Sequence, residues 1–90
     1  MYEIATSDKF IKKSKKFFKK HPDLQTKFKS IIQQLTQDPF EPSLKTHKLK
    51  GNLQEFHACS LTYQYRILLS IVIVDNIIYL IDIGTHDEVY

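Results

Sequence analysis

The spacing of the apolar residues changes once along this chain, at Gly51-Asn52, and that change limits what it can fold into. Ahead of it, apolar side chains recur every three or four residues, the period of a helix. Beyond it they come in runs rich in β-branched and aromatic residues, the signature of strands. The expectation is an α+β fold of order β-α-α-β-β-β, with two N-terminal helices packed on one face of an antiparallel sheet. At 90 residues only one core can be built, so a single domain spanning 1–90 is expected.

Tyr2 to Thr6 reads as a short strand, and Ser7 stands where a helix N-cap belongs, with Asp8 in the first turn to suit the helix dipole. From Asp8 to Lys20, Phe10, Ile11, Phe17 and Phe18 are placed on one stripe and lysines on the rest. His21-Pro22-Asp23 breaks that helix; Leu24, Phe28, Ile31, Ile32 and Leu35 form a second, which stops at Asp38-Pro39. Residues Asp38 to Lys50 read as a loop. Strands are predicted over Leu53 to Leu61, Tyr65 to Val74 and Ile77 to Ile83, with Asp75-Asn76 as the hairpin turn. The run Ile77 to Ile81 is apolar on both faces and predicts a central strand covered on both sides. The predicted core is Phe10, Phe17, Phe28, Ile31, Tyr65, Ile67, Ile81 and Ile83.

Charge is distributed unevenly. The net charge is only +3, yet six lysines lie between Lys12 and Lys20 and others at Lys27, Lys29, Lys45, Lys48 and Lys50, while Arg66 is the only Lys or Arg beyond them. This asymmetry suggests an anionic partner, nucleic acid ahead of membrane; the bland alternative is a solvated helix face. Cys59 is the only cysteine, which rules out an internal disulfide and a cysteine-built zinc site and fits a reducing cytoplasm. The segment MYEIATSDKF has no apolar export core, and the run from Ile67 to Val74 is interrupted by Ser70 and too short to span a bilayer, so no membrane partner is expected.

Arg66 sits within a strand among Tyr65, Ile67, Leu68 and Leu69. Strand alternation groups it with Gln64, Leu68 and Ser70, away from Tyr65, Ile67 and Leu69. A guanidinium on a rigid strand suits bidentate contact with phosphate or an anionic transition state; the alternative is an ion pair with Asp82 or Glu55. Of the four histidines, His21 lies in the helix–helix turn and reads as surface, while His57 suits either direct contact with a substrate or cross-strand packing. His47 lies among Lys45, Lys48 and Lys50, and His86 ends the last strand; two imidazoles flanking a phosphodiester can act as base and acid. No metal or cofactor is expected: there is no HExxH, no paired ligand spacing and no carboxylate cluster, and Gly51 and Gly84 are too few for a phosphate loop.

Taken in order, the helix hairpin, HKLKG at 47 to 51, YRILLS at 65 to 70 and IDIGTHDEVY at 81 to 90 resemble the RelE/ParE superfamily of bacterial toxin–antitoxin toxins over nearly the whole chain. The resemblance is closest to the RelE and YafQ branches, which cut messenger RNA on the ribosome. It implies a type II toxin acting as a metal-independent endoribonuclease, whose partners are a cognate antitoxin, message and ribosomal RNA. It implies catalytic roles for His47, Arg66, His86 and Tyr90; Lys48 and Lys50 match basic residues near the LxG turn. Together with Lys12, Lys13, Lys16 and Lys20 on the lysine-rich helix, these are the expected contacts to the RNA backbone. The sequence departs from the family where Gln64 replaces a frequent aspartate and Ser60 replaces a histidine of YafQ-like sites. Two other readings share the fold: a ParE-like protein that inhibits DNA gyrase by binding, and a toxin remnant that only binds its antitoxin.

Overall fold

The computed structural model describes residues 1–53 and 55–90. Strand β1 (Glu3–Thr6) leads into helix α1 (Asp8–Lys20), whose start is fixed by Ser7, its side chain accepting the Phe10 N–H at 3.1 Å. Asp8 at the positive end and Lys19 and Lys20 at the negative end complement the helix dipole. Pro22–Leu24 makes one 3-10 turn before α2 (Gln25–Gln37), and the two helices meet through the Phe18 and Phe28 rings, 5.0 Å apart.

Three more strands, β3 (His57–Ser60), β4 (Tyr65–Val72) and β5 (Ile77–Thr85), form antiparallel hairpins. Asn76, at φ 55°, takes the left-handed conformation that the β4–β5 turn requires. The expected loop 38–50 holds more structure than its composition suggests. A 3-10 turn at Pro42–Leu44 is followed by β2 (His47–Lys48), which pairs antiparallel with β3. The strand expected over Leu53 to Leu61 is shorter, because Gly51–Leu53 forms a 3-10 turn; Gln54 lies outside the described residues. Among the described residues the sheet runs β1-β5-β4-β3-β2, with β1 parallel to β5 and the other pairs antiparallel.

Both helices cover one face. Phe10, Ile31 and Leu35 pack there on Cys59, Ile67, Leu69, Ile78, Leu80 and Ile83, with Phe17, Phe28 and Tyr65 partly buried at the margin. Ile11, placed on the apolar stripe by sequence, is 40% exposed, since a one-residue step turns it about 100° from Phe10. Ile81 was expected in the core and is 38% exposed. The cause is a register slip: Leu68 faces Asp82 but Leu69 faces Leu80, so Ile81 is an unpaired bulge residue. Nor is β5 covered on both sides, for Tyr79 next along is 41% exposed. On the far face a smaller cluster of Leu49, Ala58, Leu68 and Val89, flanked by Phe56 and Tyr90, covers the β2-β3-β4 half. Among the described residues no helix is long and apolar enough to cross a membrane.

Candidate active site

Register decides which side chains share the far face. His47 lies opposite Ala58, Ala58 opposite Leu68, and Ser60 opposite Arg66, and directly opposed residues point the same way. His47, Ser60 and Arg66 therefore stand on the face that carries the Ala58–Leu68 cluster. Lys48, opposite His57, alternates to the other face.

A short helix completes the site. Helix α3 (His86–Val89) begins with a capping box: Thr85 Oγ1 accepts the Glu88 N–H and Glu88 Oε1 accepts the Thr85 N–H at 2.9 Å. That backbone hydrogen bond, followed by the hydroxyl's, holds the Glu88 carboxyl below its ordinary value. Gly84 lets α3 fold back this closely, since a Cβ there would meet Glu88 Oε1 at 3.0 Å and its Cβ at 3.2 Å. Val89 then packs with Leu49, Ala58 and Leu68, which brings His86 and Tyr90 to the same face as His47. Nothing in the apolar periodicity foretold α3; the signal was Thr85-His86-Asp87-Glu88, which fits the S/T-x-x-E capping pattern.

Tyr90 is the hub. Its hydroxyl lies 3.2 Å from His47 Nε2, and its ring meets the His86 ring edge-to-face at 4.1 Å. Burial raises the phenol's pKa, and the positive charge of nearby Arg66 opposes the rise. The four candidate residues thus converge from β2, β4 and α3. His47 Nδ1 is 3.0 Å from the Lys45 carbonyl oxygen. A carbonyl only accepts, so Nδ1 carries the hydrogen, and in the neutral ring Nε2 is left as acceptor for the Tyr90 hydroxyl. Lys45 supplies that carbonyl from a left-handed backbone, φ 54°, at the end of the Pro42–Leu44 turn.

Arg66 makes no ion pair among the described residues; Asp82, one of its expected partners, pairs with Lys13 instead. Its Nη1 donates to the carbonyls of Thr62 and Tyr63 at 2.8 and 2.9 Å and lies 3.3 Å from that of Tyr65. One corner of the guanidinium is thereby anchored, while its other side reaches Tyr90 by a side-chain hydrogen bond, so that an anion bound there would meet both residues. The carbonyls of Lys45, Thr62 and Tyr63 are the parts of the site that sequence reasoning missed, and backbone acceptors leave no residue-type signal.

The expected RNA-binding lysines are divided. Lys13, Lys16 and Lys20 line a cleft of about 260 Å³ with Tyr65, Gly84, Thr85 and Glu88, directly beside the start of α3. Lys12 is exposed on α1 and Lys50 just after β2. His21 is not the free surface residue expected: it is half-buried between Phe17 and Tyr65, ring centres 4.7 and 4.9 Å away, with Nε2 3.3 Å from the Tyr65 hydroxyl. His57 packs edge-to-face on Phe40 at 5.6 Å, and burial, then the charges of Lys48 and His47, lowers its pKa. Burial pushes the Cys59 thiol up to about 12, so it serves as core. Gln64 is exposed and Ser60 half-buried. Among the described residues no three His, Cys, Asp or Glu side chains gather as a metal site.

A lysine-rich helix hairpin on one face of a small sheet, with histidines, an arginine and a terminal tyrosine on the other, defines a RelE-type toxin. The chain belongs to the YafQ family, bacterial toxins of type II toxin–antitoxin systems, whose family model matches residues 2–90. That makes it a toxin of the mRNA-interferase type. Among solved structures it is similar to a metal-bound toxin from Helicobacter pylori, at 33% identity and a TM-score of 0.77 with both chains covered in full. YafQ from E. coli strain BL21(DE3) superposes with a TM-score of 0.81 at 20% identity, covering 100% of this chain and 99% of that one. YafQ in the E. coli DinJ–YafQ complex gives 0.80 at 20% identity over the same shares. No curated protein sequence matches the chain.

Proposed function

We propose that the His47–Arg66–His86–Tyr90 face cleaves messenger RNA by driving the RNA's own 2′-hydroxyl onto the adjacent phosphorus, with no metal ion. The observation that carries this is Tyr90, which touches both histidines and lies beside Arg66. His47 is the base: its Nδ1–H is committed to Lys45, so Nε2 takes the 2′-hydroxyl proton once substrate displaces the Tyr90 hydroxyl. His86 is the acid that gives a proton to the departing 5′-oxygen, and the Asp87 carboxylate lies 3.5 Å from its Nδ1. Arg66 stabilises the charge on the pentacoordinate phosphorane, and Tyr90, once displaced from His47, stacks on a base. Lys13, Lys16, Lys20, Lys50, Lys48 and Lys12 hold message or ribosomal RNA by its phosphates, which positions the strand without reading its sequence.

One toxin domain over residues 1–90 carries this activity, and the cytoplasm, where message and ribosomes are, is its place of action. Membership of a toxin–antitoxin family, with the DinJ–YafQ complex and the YoeB–YefM complex from Staphylococcus aureus, supports a cognate antitoxin as partner. A toxin acting on gyrase by binding alone would have no use for an imidazole held with its Nε2 lone pair ready.

Incubating the purified protein with translating ribosomes and mapping message ends tests the reading. New internal ends are expected, falling by at least ~100-fold in His86→Ala while antitoxin binding persists. No new ends, together with a growth arrest that survives both His47→Ala and His86→Ala, would overturn it.

A further inference from the structure

A second cleft, of about 440 Å³, opens between α2, the Pro42–Leu44 turn and the β3–β4 bend, within the ~300–1,000 Å³ range of small-ligand sites. Its lining brings together the cations Lys27, Lys45 and Arg66, the hydroxyls of Ser30 and Ser60, and Tyr63, whose side chain is 95% exposed. Among the described residues of that lining none is acidic. Glu41, beside the turn, is occupied in capping it, accepting from the Ser43 N–H at 2.9 Å and from its hydroxyl. Lys27 and Lys45 form no ion pair among the described residues. The α1 cleft differs in this respect, for its lysines share it with Glu88, and Lys13 is engaged by Asp82.

Arg66 and Lys45 tie this cleft to the candidate active site. Arg66 lines the cleft and lies beside Tyr90; Lys45 lines it and holds His47 through its carbonyl. A phosphodiester seated at Arg66 continues into a further nucleotide on each side, and one of those directions leads here. The cleft offers what that nucleotide needs: cations for a phosphate, hydroxyls for sugar oxygens, and an unpacked aromatic ring for a base. We infer that the cleft between α2, the Pro42–Leu44 turn and the β3–β4 bend is a nucleotide subsite, which seats the RNA residue next to the scissile phosphate. This rests on the ribonuclease reading for its neighbour, and on its own lining for its ligand.

The probe is a 2′-O-methylated RNA hexanucleotide, which lacks the attacking hydroxyl, titrated into the wild type, Lys27→Ala, Tyr63→Ala and the α1 control Lys19→Ala. Lys27→Ala should flatten the logarithmic salt dependence of binding by about 0.7, the share of one single-strand phosphate contact. Tyr63→Ala should weaken binding at least ~5-fold without changing that slope, the lower end for a stacked base. Lys19→Ala should change neither. In ribosome-dependent cleavage, Lys27→Ala and Tyr63→Ala should raise KM and leave kcat and its pH profile alone. If both variants bind and cleave as the wild type does, the subsite is wrong and the nuclease stands. A wild type that binds through Lys27 and Tyr63 yet cuts no message supports the subsite and removes the nuclease.

Discussion

Arg66 shows how one side chain is made ready by backbone alone. Two carbonyls from the bend before β4 and a third from its first residue fix Nη1, an arrangement a single ammonium cannot reproduce while still presenting a fork to phosphate. Arg66→Lys should therefore fold normally yet lose cleavage by roughly 10²–10³-fold, as when a transition-state donor is removed, in single-turnover assays. His57 makes a separate prediction. Its folded pKa lies below the ordinary 6.5, so as pH falls the unfolded chain takes up a proton before the folded one does. Stability from this residue is lost as pH drops from about 6.5 through the lowered native value. Thermal melts should show His57→Gln losing less Tm on acidification than the wild type. At this scale residue type carried the reading: an arginine in a strand, a histidine among lysines and a histidine ending the last strand singled out Arg66, His47 and His86 as candidates. It could not show that Lys48 faces away from His47, because the two-residue strand that sets the alternation lay in a segment read as loop.

Among the elements, α3 matters most for its length. Four residues place His86 and Tyr90, and the helix depends on the Thr85–Glu88 box and on the missing Cβ of Gly84. Thr85→Ala should cost only ~1 kcal/mol of stability, the worth of a cap, in denaturant unfolding. Its cleavage should fall further than that loss accounts for, since a small displacement of both groups is felt in the chemistry. Gly84→Ala should do the same by pushing on Glu88. Long elements with strong periodicity were legible, α1 even to its Asp8 and Lys20 ends, because a cap and a proline mark them. β2 and α3 were not, being too short for any period to show and held by tertiary pairing and by a cap.

For the molecule as a whole, helices on one face and the candidate site on the other is the organising arrangement. Phe10, 3% exposed beneath α1, joins that helix to the sheet, and Phe10→Ala should cost about 3–5 kcal/mol in equilibrium unfolding. The order of helices and hairpins could be read from the change of period at Gly51-Asn52. The parallel pairing of β1 with β5 and the bulge at Ile81 could not, because both are settled by contacts between distant segments. The central claim, that this far face makes RNA attack itself, is tested most directly by the chemistry of the cut ends. Message cleaved by the wild-type protein on ribosomes should carry 2′,3′-cyclic phosphate and 5′-hydroxyl termini, and a 2′-deoxy nucleotide placed at the cut should abolish that cut alone. Termini with 3′-hydroxyl and 5′-phosphate, or undiminished cutting at the deoxy position, would contradict the account.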